Sequence, residues 1–171
     1  MGADIYLESV WKPWFAEFEA KEKSKEIVGH ITNSDELNRS FSALYDAHRS
    51  SGGYFRNAYN GGDVMAAMGL SWDAVGEMLD SEQRLPIERA RELLAMILAR
   101  PIERERFGRH LKSYGNGPAG QMMDHVLGRP PPSEWTFDLD EMFAFVSKRR
   151  EELLAILHKS ITLNEPLQCF I

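Results

Sequence analysis

The sequence predicts an all-α fold: an irregular multi-helix single domain with a long C-terminal helix. Three observations carry that expectation. Apolar residues recur at helical spacing along most of the chain, and short polar residues stand where helices need N-caps. No segment shows a strand-like alternation with a visible partner. The chain has 171 residues, 43% hydrophobic and 27% charged, enough to bury a core without disulfide or metal staples. One domain spanning 1–171 is the expected organisation.

The elements follow in order. Trp11, Trp14, Phe15 and Phe18 fall at i, i+3, i+4 and i+7, the stripe of an amphipathic helix. The charged stretch Glu19–Glu26 interrupts it before Ile27, Val28 and Ile31 resume. Ser34 is placed to cap a second helix ahead of Asp35 and Glu36, with Leu37, Phe41, Leu44 and Tyr45 as its buried face. Ser50-Ser51-Gly52-Gly53 stops it. Asp63 caps a short apolar helix ending near Gly69, and Ser71 caps another carrying Trp72, Val75, Met78 and Leu79.

Pro86 suits a first helical turn, where its missing N–H costs nothing. Ile87, Ala90, Leu94, Ile97 and Leu98 follow at helical spacing until Pro101. Ile102, Phe107 and Leu111 predict a helix reaching Tyr114-Gly115, and Met122, Met123, Val126 and Leu127 a short one. Pro130-Pro131-Pro132 reads as a stiff connector. The closing helix is expected from about Leu139 to Leu163. Ile5 and Leu7 fit a short strand for which no partner is obvious.

Composition narrows the function classes. Twenty Lys and Arg against 26 Asp and Glu give a net charge of −6, so the molecule as a whole offers nucleic acid no attraction. The longest apolar run, Leu93–Ala99, is far short of the ~20 residues of a membrane helix. Asp4 and Glu8 interrupt any secretory core at the start. The single cysteine, Cys169, excludes an intramolecular disulfide. The expected setting is cytoplasmic, with no membrane contact.

The most distinctive segment is Gly52–Gly62, in which two glycine pairs bracket aromatics, an arginine and two asparagines. Read as a loop, it presents Tyr54, Arg56, Asn57, Tyr59 and Asn60 as candidate binding residues. Arginine pairs with carboxylates or phosphates while tyrosines stack on rings. The structural alternative has the tyrosines packing on neighbouring helices and the asparagines satisfying turn backbone.

The opening Met1-Gly2-Ala3-Asp4-Ile5-Tyr6-Leu7, with Tyr54–Asn60 and Gly69-Leu70-Ser71-Trp72, resembles an uncharacterised family of bacterial and phage proteins. The resemblance covers about a third of the chain and implies a bacterial or phage setting. It implies no activity.

Other motifs are weaker. Gly61–Asp80 has the apolar spacing of a helix-turn-helix, but Met65 crowds the position where that motif wants a small residue. The would-be recognition helix carries Asp73, Glu77 and Asp80, with no Lys or Arg between Arg56 and Arg84. An αα-hairpin is the expectation there. The Arg84–Lys112 segment is net positive, fitting either a weak nucleic-acid face or a helix surface laced with local ion pairs such as those of Glu88, Glu92, Glu103 and Glu105.

Gly115–Gly120 spells G-x-G-x-x-G without the strand that a dinucleotide fingerprint requires. His30, His48, His110, His125 and His158 show no metal-ligand spacing, so neither metal nor cofactor is expected. The functional expectation is a non-catalytic accessory or interaction protein, acting on a protein partner or as a homodimer. A small-anion-binding protein or enzyme using the Gly-bracketed segment is the alternative.

Overall fold

The computed structural model describes residues 3–13, 16, 19–20, 52–57, 63–115 and 138–171. The fold is mixed, which corrects the all-α expectation. Four strands, β1 (Asp4–Tyr6), β2 (Tyr54–Arg56), β3 (Arg84–Leu85) and β4 (Leu167–Phe170), form one sheet in the order β2-β1-β4-β3. Every pairing is antiparallel. The strand predicted from Ile5 and Leu7 therefore has two partners, Ile5 standing opposite Phe55 on one side and Cys169 on the other. The physical reason for the miss is length. Runs of two to four residues carry too little alternation to announce a strand, and their partners lie far away in sequence.

Residues 8–13 are helical directly after β1. The remaining helices of the described residues are α1 (Val64–Ala67), α2 (Trp72–Gly76), α3 (Ile87–Leu98), α4 (Arg104–Gly115) and α5 (Leu139–Leu163). Their ends follow the local chemistry. Asp63 and Ser71 accept backbone N–H groups as the N-caps of α1 and α2, and Asp138 does the same for α5. Pro86 stands one position earlier than expected, as the N-cap of α3 itself. Asn164 ends α5 in the left-handed region at φ 52°, turning the chain toward β4. The expected helix from Ser34, the short helix at Met122–Leu127, the Gly115–Gly120 turn beyond Gly115 and the proline connector lie outside the described residues.

One face of the sheet is the core face. Ala3, Ile5, Leu7, Phe55, Leu85, Leu167 and Cys169 alternate inward and are fully buried or nearly so. They pack with Leu93 and Ile97 of α3 and with Leu153, Ile156 and Leu157 of α5. A second cluster, Ala67, Phe107, Leu111 and Val146, joins α1, α4 and α5. The polar stretch of α5 is drawn into this packing. Arg149 is buried, 2.8 Å from Glu152 and 5.0 Å from the Phe145 ring, while Arg150 donates to the Ile97 carbonyl near the end of α3. No helix among the described residues is long and apolar enough to cross a membrane.

Candidate functional site

Tyr54 and Arg56 are strand residues, so the segment expected to be a loop begins as β2. Strand alternation sends Phe55 into the core against Trp72, with ring centroids 6.2 Å apart. Tyr54 and Arg56 point to the opposite face. The register sets Tyr6 beside Tyr54 and Asp4 beside Arg56 on one flank, and Gln168 and Phe170 on the other. Six side chains from three strands thus share the outer face of the sheet.

The helical residues that follow β1 add Trp11 to this face. Its ring stacks on Tyr54 at 5.5 Å and 17°, and lies 5.0 Å from Tyr6, whose own ring is 5.9 Å from Phe170. Tyr54, Trp11, Tyr6 and Phe170 form a continuous row of ring contacts. Tyr54 and Phe170 sit at its ends and differ sharply. Tyr54 is 6% exposed and Phe170 is 57% exposed. Close approach at the Tyr54 end needs Gly53, because a Cβ there would stand 2.4 Å from Val10 Cγ1.

Polar groups fix the row. The Tyr54 hydroxyl donates to Asp4 Oδ1 at 2.5 Å, and Arg56 Nε lies 3.6 Å from the same oxygen. Burial, followed by the charge of Glu8, pushes the Tyr6 hydroxyl above its ordinary range. Asn57 turns inward. It is fully buried, its N–H donates to the Ala3 carbonyl at 2.8 Å, and its Oδ1 accepts the Val64 N–H at 3.3 Å. Its Nδ2 has no partner among the described residues.

Of the five candidate residues, the structure places Arg56 on the surface, Tyr54 under Trp11 and Asn57 inside. Tyr59 and Asn60 lie outside the described residues. Sequence reasoning missed Asp4, Tyr6, Trp11, Gln168 and Phe170 as members of the same face. The available signal was period-two alternation, Asp4 and Tyr6 against Ala3, Ile5 and Leu7, and Gln168 and Phe170 against Leu167 and Cys169.

The basic segment is largely engaged in structure. Arg84 pairs with Asp80 and Glu82, Arg89 with Glu92, Arg104 with Asp140 and Arg106 with Glu103. Arg100 and Arg106 also donate to the Gly69 and Met68 carbonyls at the turn after α1. Among the described residues, no cluster of three or more His, Cys, Asp or Glu is arranged to hold a metal ion. No family model, curated protein or solved structure matches the chain.

Proposed function

We propose that the protein is a non-catalytic interaction protein that binds a protein partner through the outer face of its sheet. The observation that supports this reading is Phe170. It lies on a strand flanked by β1 and β3, yet more than half of it is exposed at the end of a row of touching rings. A large exposed aromatic backed by packed rings is a rigid anchor, losing little side-chain freedom on binding. Arg56 supplies a partly exposed guanidinium across the same face, a residue type enriched at interfaces.

Among its described residues, the face shows no built catalytic geometry. Its carboxylate, Asp4, already accepts the Tyr54 hydroxyl and faces the Arg56 guanidinium, which suits recognition better than proton transfer. The test is capture from nuclease-treated bacterial lysate by wild type, Phe170→Ala and Arg56→Ala, followed by crosslinking to map the contact. The expected result is a specific partner, or a second copy of the chain, crosslinked to this face and lost with Phe170→Ala, while thermal unfolding stays unchanged. Equal capture by wild type and Phe170→Ala would overturn the reading. Sedimentation at two concentrations separates a foreign partner from self-association.

A further inference from the structure

The α1–α2 hairpin, away from the aromatic row, forms one wall of a half-open cleft of about 490 Å³. That volume lies within the usual ~300–1,000 Å³ of small-molecule sites. Its apolar lining comes from Leu70, Leu79, Ile171 and the edge of Trp72, and its polar lining from Asp63, Ser71, Asp73 and Gln83. The lining holds two carboxylates and no basic residue among the described residues. The whole stretch from 57 to 83 contains no Lys, Arg or His.

Asp63 is the informative group. Its Oδ1 accepts the Met65 and Ala66 N–H groups at 2.9 and 3.3 Å and the Trp72 indole N–H at 3.1 Å. Capping therefore accounts for Oδ1, but Oδ2 has no donor among the described residues. Three N–H groups hold the carboxylate in one orientation, so its second oxygen is preorganised. Asp73, ten residues on and exposed, adds a second negative charge at the same cleft.

The geometry points to this cleft as a binding site for a small organic cation, an ammonium group carried on a short apolar chain. An ammonium supplies the donor that Asp63 Oδ2 lacks and a charge opposite to that of Asp73, whose Oδ2 accepts the Ser71 hydroxyl at 3.3 Å, and the aliphatic chain covers Leu70, Leu79 and Ile171. An anion is disfavoured by both carboxylates. This inference is independent of the partner reading, because it uses none of the residues of the aromatic row.

The test follows the Trp72 indole N–H resonance in ¹H–¹⁵N spectra, assigned by its loss in Trp72→Phe, during titration with n-pentylammonium. 1-Pentanol is the uncharged control. Saturable shifts with the ammonium and none with the alcohol are expected. Asp63→Asn keeps the capping oxygen and removes the charge; Asp73→Asn alters an exposed position and leaves the Asp63 cap untouched. Each should weaken binding about tenfold, the loss of one hydrogen bond to a charged group. Glu77→Gln, exposed at the end of α2 and outside the cleft, should leave affinity unchanged. An absence of saturable shift, equal response to 1-pentanol, full affinity in Asp73→Asn, or equal weakening by Glu77→Gln would overturn the site.

Discussion

Asp4 and Tyr54 are joined across the β1–β2 pair by a short hydrogen bond, the phenol donating to Oδ1 at 2.5 Å from a diagonal position in the register. The bond ties the N-terminal strand to β2 on the face opposite the core. It also separates the structural role of Tyr54 from the surface role of Arg56, which approaches the same oxygen with a side chain that is 44% exposed.

Tyr54→Phe is expected to lower stability by about 1.5–2 kcal/mol in urea denaturation, because it strands a partly buried carboxylate's hydrogen bond. Arg56→Ala should cost less than about 1 kcal/mol, as expected for a solvent-screened ion pair. A larger loss for Arg56→Ala than for Tyr54→Phe would reverse the roles assigned to the two residues.

Two glycines make opposite predictions. A Cβ on Gly53 would lie 2.4–2.9 Å from three atoms of Val10, so Gly53→Ala must push the β2 end off the helical segment, at about 1–3 kcal/mol. Gly76 closes α2 with open space around its Cβ direction, and Gly76→Ala should gain up to about 0.5–1 kcal/mol by lowering unfolded-chain entropy. Thermal melts of the two variants side by side read both signs.

The same local physics explains what was legible in the sequence. The long run Leu139–Leu163 and the run Ile87–Leu98 repeat their apolar spacing over several turns, and both helices fall where that spacing puts them. Asp63 and Ser71 were readable as caps because their chemistry is local. The sheet was not readable as a sheet, since its strands are only two to four residues long and it joins residues 4–6 to residues 167–170. Tyr54 and Arg56 were singled out by composition. Tyr6 and Trp11 become their neighbours through the β1–β2 pairing and Phe170 through the β1–β4 pairing, neither of which spacing along the chain encodes.

Asp63 carries a double structural duty beside its place in the cleft. Asp63→Ala removes the acceptor of two α1 N–H groups and of the largely buried Trp72 indole, so a loss of about 2–3 kcal/mol is expected. Asp63→Asn retains an oxygen for all three and should lose less than about 1 kcal/mol. Urea midpoints with unchanged m-values would check the pair. Similar losses in both variants would show that the charge, rather than the acceptor, holds the hairpin.

Cys169 gives a pH prediction with a definite sign. The thiol is fully buried between β1 and β3, and that burial pushes its pKa from the ordinary 9.0 to about 12. The folded state therefore keeps the proton where the unfolded chain releases it. Its contribution to stability is intact below pH 9 and is lost progressively as the pH rises from 9 toward 12. Cys169→Ser introduces a hydroxyl that stays neutral over this range, so the variant starts from a lower stability but declines less steeply above pH 9. In the native wild type at pH 8, a disulfide reagent should react far more slowly than in 6 M urea, where the thiol is exposed. Equal reaction rates in the two conditions, or parallel pH profiles for wild type and Cys169→Ser, would contradict a sealed thiol in the middle of the sheet.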